Sequence, residues 1–270
     1  MLLRFHREGA PDAPRAAWLL HGILGSGQNL RTVARRLVAA RPDWCFYLPD
    51  LRNHGESHGL AAPHTVDACA ADLHALATSI GVRPDVAIGH SFGGKVALRW
   101  GALEEAAGRP VGRVWALDVP PGKPDLPLAL SSEVVRVVSA LRTLPQPLSR
   151  RDEVVTRLGA LGFSPMLGQW MTTNLRGVDG GYVWRFDLDG IEAMLRDYAT
   201  VDAWPWLESR ERRARVDVVR AGRSERWSDG ELARFEPANV HLHVMPDAGH
   251  WVHVDDPDGL HALLVDGLEG

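Results

Sequence analysis

Ser91 lies in the stretch Ile88-Gly89-His90-Ser91-Phe92-Gly93-Gly94, which reads G-x-S-x-G. A serine hydroxyl is a weak nucleophile until a neighbouring base takes its proton. A short apolar run ends at Ile88, and a run with helical periodicity extends from Lys95 to Ala107. A serine on a sharp turn between strand and helix holds its Oγ away from the backbone. The positions two before and two after it must be small, because strand and helix nearly touch there; Gly89 and Gly93 meet that need. The helix N-terminus behind Ser91 aims backbone N–H groups at any anion that develops beside it. The chemistry implied is acyl transfer through a serine.

Such a serine needs a base, an acid to orient the base, and two N–H donors for the oxyanion. His250 stands out among twelve histidines because it follows the last predicted strand in a Gly-His loop. His90 adjoins Ser91, but its side chain is expected to point away from Oγ, and His253 is expected to pack or be solvated. Two carboxylates fit the acid. Asp118 ends the apolar run Arg113–Leu117, and Glu225 lies in the loop after Val216–Arg220. Ser224 stands in that loop where an aspartate is often found. Asp118 is therefore preferred, Glu225 is the rival, and Ser224 is placed to donate a further hydrogen bond to the Asp118–His250 pair. The oxyanion donors are expected to be the N–H groups of Phe92 and Ile23, with Leu24 the alternative to Ile23. Gly22, Gly25 and Gly27 let that backbone approach a substrate.

These groups need a scaffold that carries them to one edge. The runs Ala16–Leu20, Trp44–Leu48, Val86–Ile88, Arg113–Leu117, Val216–Arg220 and Val240–Met245 read as buried strands, with a further strand within Met1–Arg7. They alternate with helical stretches at Asn29–Ala40, Thr65–Ile80, Lys95–Ala107, Asp229–Phe235 and Pro257–Leu268. That order predicts right-handed βαβ crossovers, a mostly parallel central sheet flanked by helices, and chemistry at the carboxyl ends of the strands. His21, Asp50, Ser91 and Asp118 each follow a strand. From Pro120 to Arg213 the alternation stops. Helices are predicted over Ser131–Leu144, Arg150–Leu161, Pro165–Asn174 and Gly190–Tyr198, with no convincing central strand. The expected division is a core of residues 1–119 and 214–270 with a helical cap inserted at 120–213. Phe163, Met166, Trp170 and Trp184 suit a lid over a pocket.

The 270 residues suffice for one large α/β domain with an insertion. A net charge of −4 offers no electrostatic case for nucleic acid or an anionic membrane. Cys45 and Cys69 do not make a disulfide framework and suit a reducing compartment. The N-terminal residues lack the apolar core of a signal peptide, and no run approaches a membrane span, so a cytoplasmic protein is expected. No cofactor or metal is expected. His241, His243 and His250 lack a carboxylate or cysteine to complete a set. The Asp50–Ser57 stretch reads as a hydrogen-bonded turn bracing the active edge, and Lys95 as structural. Oligomeric state is not assigned.

His21-Gly22-Ile23-Leu24-Gly25-Ser26, the Asp50–Ser57 stretch (DLRNHGES), Gly89–Lys95 (GHSFGGK), Leu117–Pro120 (LDVP) and Ala248–His253 (AGHWVH) together resemble the α/β-hydrolase superfamily. More narrowly they resemble the small acyl-ester hydrolases related to abhydrolase domain-containing protein 11 and their bacterial esterase counterparts. Val183–Leu188 resembles that group as well. The resemblance implies an α/β-hydrolase fold, an acid on the strand after the serine (Asp118) and a serine near the commoner acid position (Ser224). Arg223, and Glu225-Arg226-Trp227 after Ser224, depart from the pattern, which bears on the pocket wall. The activity implied is hydrolysis of small carboxylic esters with short or medium acyl chains through an acyl-enzyme. The alternatives are a thioesterase, C–C hydrolase or lyase of the same fold, and a non-catalytic binding protein that retains it.

Overall fold

The computed structural model describes residues 1–124 and 133–269. Its main sheet has seven strands: β1 (Phe5–Glu8), β2 (Arg15–Leu20), β3 (Trp44–Pro49), β4 (Val86–His90), β5 (Arg113–Leu117), β8 (Arg215–Ala221) and β9 (His241–Met245). Their spatial order is β1-β3-β2-β4-β5-β8-β9. β1 runs antiparallel to β3 at the edge, and every other pairing is parallel. The crossover from β3 to β4 explains the order. The helix Val66–Ile80 (α2) returns the chain from β3 past β2 to β4, so β4 lies at the middle of the sheet.

Side chains on successive residues of a strand face opposite ways. Trp18, Leu20, Ala87, Val114, Ala116 and Val218 enter one apolar layer, which includes α2 and the helix Phe92–Ala106 (α3). Ala17, Leu19, Phe46, Ile88, Trp115 and Val219 enter the other, against the helices Arg31–Ala40 (α1) and Pro257–Gly267. Burial on both faces is why these strands read as continuous apolar runs. Local signals fix the helix ends. Thr65 Oγ1 accepts from Ala68 N at 3.1 Å to cap α2, and Gly81 ends it in the left-handed region at φ 68°. The helix predicted to begin at Asn29 starts later, because Gly27–Leu30 forms a 3₁₀ turn first.

Between β5 and β8 the chain leaves the sheet. It forms helices at Glu133–Arg142, Glu153–Ala160, Pro165–Thr172, Leu188–Tyr198 and Trp204–Leu207. The predicted start of the first of these, at Ser131, lies outside the described residues. The segment also contains an antiparallel hairpin, β6 (Leu175–Val178) with β7 (Gly181–Trp184), which the helical reading missed. Each strand has four residues and buries only one of them, too short for a period-two signal. The local cue was the Asp179-Gly180 turn. Val137, Leu158, Met171, Ile191, Met194 and Trp204 are buried and continuous with the apolar layer of the sheet. Among the described residues, no helix is long and apolar enough to cross a membrane.

Candidate active site

Ser91 occupies the step between β4 and α3 with φ 53° and ψ −119°, a conformation L-residues rarely adopt. Its N–H donates to Leu117 O at 2.9 Å, fastening the strained residue to β5. The glycines on either side leave no room for a side chain. A Cβ on Gly89 would enter the Gly93 carbonyl, and one on Gly93 would lie 2.5 Å from the carbonyl oxygens of Leu20 and His21.

Asp118 follows β5 and is also held at positive φ, 45°. Its N–H donates to Val219 O at 2.7 Å, so β8 sets its position. His250 follows β9 in the Gly249-His250 loop. The His250 ring lies between the two: Nδ1 is 2.8 Å from Asp118 Oδ2, and Nε2 is 3.1 Å from Ser91 Oγ. With Asp118 ionised, Nδ1 carries the hydrogen and Nε2 is left as the acceptor. Asp118 Oδ1 accepts from Ala221 N at 3.1 Å and Trp227 Nε1 at 2.9 Å. Burial pushes the Asp118 carboxyl up, but the bond and charge of His250, with the Trp227 and Ala221 N–H groups, outweigh it and hold it below the ordinary value. Burial also lowers the His250 pKa below 6.5, opposed by its bond to Asp118 and reinforced by the nearby Arg226 cation.

The chosen carboxylate and its rival are thus separated by geometry. Asp118 is on His250, while Glu225 is exposed and makes no hydrogen bond among the described residues. The expected donor to Asp118, Ser224, does not donate: its buried Oγ has no partner. Trp227 takes that place. Sequence reasoning missed it because an indole is a donor only at one edge, and nothing in R-S-E-R-W says which way that edge turns. His90 turns away from Oγ, as expected, and its Nε2 donates to His250 O at 2.8 Å. It braces the loop that carries His250.

The backbone beside Ser91 discriminates the oxyanion candidates. Leu24, at φ 60°, donates its N–H to His54 Nε2 at 3.0 Å, so that group is engaged. The N–H groups of Ile23 and Phe92 have no acceptor among the described residues. The Asp50–Ser57 turn holds this loop in place. Asp50 accepts from Gly27 N and Glu56 N, each at 2.8 Å. His21 Nε2 accepts from Leu51 N at 2.9 Å. Burial pushes His21 to about 4 and His54 to about 3, so both are neutral and available as acceptors. Asn53 bonds reciprocally with the backbone of Asp187, both at 2.9 Å, and Asn174 Nδ2 donates to Leu24 O at 2.8 Å. These bonds tie the segment between β5 and β8 to the same rim.

Lys95 is fully buried one turn into α3. Its ammonium donates to Pro121 O at 2.7 Å, to Val201 O at 3.0 Å and to Gly122 O. It thereby fixes the loop after Asp118 and is directed away from Ser91, while burial pulls its pKa down to about 7. A cleft of about 880 Å³, its open mouth included, lies over Ser91 and is walled by Ile23, Phe92, Val137, Leu167, Trp170 and Leu195. Ser91, His250 and Asp118 in one hydrogen-bonded chain, with two unengaged N–H groups beside an apolar cleft, form an arrangement that could carry out acyl transfer through a serine.

Residues 19–263 match the model of the alpha/beta hydrolase family. The sn-1-specific diacylglycerol lipase ABHD11 of Mus musculus is 28% identical over 253 residues, covering 88% of this chain and 76% of that protein. Esterase YbfF of Escherichia coli (strain K12) is 28% identical over 251 residues, covering 90% of this chain and 88% of that protein. Among solved structures, a marine microorganism esterase superposes with a TM-score of 0.82 at 25% identity, covering 98% of each chain. The chain belongs to the alpha/beta hydrolase family. Its class of activity is that of the carboxylic ester hydrolases.

Proposed function

We propose that this esterase works through Ser91 as nucleophile, His250 as general base and acid, and Asp118 as the group that orients His250. The N–H groups of Ile23 and Phe92 hold the oxyanion. The reading rests on one observation, the hydrogen-bonded chain Asp118–His250–Ser91 at 2.8 and 3.1 Å. His250 Nε2 removes the Ser91 proton as Oγ attacks the acyl carbon, and returns it to the leaving alcohol oxygen as the C–O bond breaks. Water then attacks the acyl-enzyme with His250 again as base. Residues 120–213 act as a cap, and the apolar side chains it lends to the cleft favour short to medium acyl chains.

The test is p-nitrophenol release from esters running from acetate to octanoate. Ser91→Ala is expected to lower kcat by about 10,000-fold or more and to abolish labelling by a fluorophosphonate. Equal turnover in wild type and variant would remove Ser91 from the mechanism. A thioester and a β-diketone at the same concentration separate ester hydrolysis from the other reactions this fold supports.

A further inference from the structure

The cleft over Ser91 is one of two adjoining spaces. The second, of about 1,360 Å³ with its open mouth included, begins at His250 and contains neither Ser91 nor Phe92. Its wall includes Arg223, Ser224, Glu225 and Arg226, of which all but Ser224 depart from the family pattern. The two spaces meet at His250, Tyr198, Leu195, Val134, Glu133 and Arg226. Of the loop after β8, Arg223, Ser224 and Glu225 border only the second, while Arg226 borders both.

Chemistry assigns the two spaces. Ser91, Ile23 and Phe92 all line the first, apolar space, so the acyl carbon and its chain belong there. His250 must protonate the departing oxygen, so the leaving group lies on the His250 side. The second space starts at that residue. The charged groups along it differ in setting. Arg223 is exposed and pairs loosely with Asp247 at 3.8 Å. Glu133 and Glu225 are exposed. Arg226 is half-buried, borders both spaces, and has no carboxylate partner among the described residues. An anion gains more from a half-buried, unpartnered guanidinium than it loses to exposed, screened carboxylates.

We infer that Arg226 is a specificity residue for an anionic leaving group, so that the preferred substrates are esters of an alcohol bearing a carboxylate or phosphate. The inference rests on the serine-esterase reading above. The guanidinium fork fits either oxyanion by two parallel N–H bonds. The reaction is ordinary acylation. The Ser91 Oγ–acyl bond forms, the acyl–oxygen bond to the anionic alcohol breaks, and the Ser91 proton ends on that alcohol through His250.

Three butanoate esters of equal acyl chain test it: meta-carboxyphenyl, meta-phosphonooxyphenyl and the neutral meta-(methoxycarbonyl)phenyl. In wild type, kcat/KM is expected to favour at least one anionic ester over the neutral one. Arg226→Gln is expected to lower that preference by about 10- to 100-fold, the range for one charge-assisted pair, and Arg226→Lys to restore part of it. The arm that loses more identifies the anion. A wild-type enzyme that cleaves the neutral ester and discriminates against both anionic ones overturns the inference and leaves the esterase reading standing. So does an Arg226→Gln variant with an unchanged preference. A wild-type enzyme that cleaves none of the three, and is not labelled at Ser91, overturns both.

Discussion

The sheet carries two aspartate–histidine pairs of the same length in different surroundings. Asp118 and His250 meet at 2.8 Å beyond the carboxyl ends of β5 and β9. Asp217 on β8 and His243 on β9 meet at 2.8 Å within the strands themselves. Both carboxylates are fully buried. The difference lies in what else touches them. Arg113 grips both Asp217 oxygens at 2.6 and 2.9 Å, so its charge is already neutralised, and His243 stacks on Trp115. Asp118 receives only neutral N–H donors, from Ala221 and Trp227, so the full carboxylate charge is directed at His250. His250 in turn has a serine hydroxyl on its other nitrogen. An aspartate–histidine bond is therefore not catalytic by itself. In the proposed mechanism it becomes so because no cation competes for the carboxylate and a serine hydroxyl faces the free nitrogen.

The sharpest way to break that contrast is to neutralise each carboxylate in turn. Asp118→Asn is expected to lower kcat by about 1,000- to 10,000-fold, because the amide favours the wrong tautomer of His250. Asp217→Asn is expected to leave kcat within about threefold while folded, yet to cost about 3–5 kcal/mol of stability by leaving Arg113 buried without its partner. Steady-state kinetics and chemical denaturation on both variants decide it; loss of activity in a fully folded Asp217→Asn would erase the distinction.

Smaller changes sharpen the proposed catalytic pair alone. Trp227→Phe removes one neutral donor from Asp118 Oδ1, and kcat is expected to fall by about fivefold, the worth of one hydrogen bond. Glu225→Gln is expected to stay within about twofold, since no bond joins it to His250; a larger loss than in Trp227→Phe would reinstate Glu225. Last is the pH profile. The base must be neutral to act, and burial with the Arg226 cation lowers its pKa, so kcat/KM should fall on acidification with a midpoint below 6.5. A midpoint above that value would contradict the environment described for His250.

Much of this arrangement was legible from local pattern. Buried parallel strands read as unbroken apolar runs, and β2, β3 and β5 emerged within a residue or two. The turn before α3 was readable because two backbones touch at Gly89 and Gly93, which only glycine permits. The hairpin β6–β7 was not readable, since four-residue strands with one buried side chain carry no period. The small bonds around the site were equally silent. That Leu24 N–H is engaged by His54 and that Ser224 gives way to Trp227 depend on side-chain rotation across 30 to 109 residues of chain.

By itself, the sequence determined which residue types stand at strand ends, and so that a serine, a histidine and an aspartate would share one edge of a parallel sheet. That follows because each lies just past an apolar run, and parallel strands end on the same side. Tertiary structure alone decided which carboxylate met His250, which N–H groups stayed free, and why Asp217 with its own histidine is a structural pair. Those outcomes depend on hydrogen-bond partners drawn from distant strands, and distances of 3 Å are set by packing rather than by spacing along the chain.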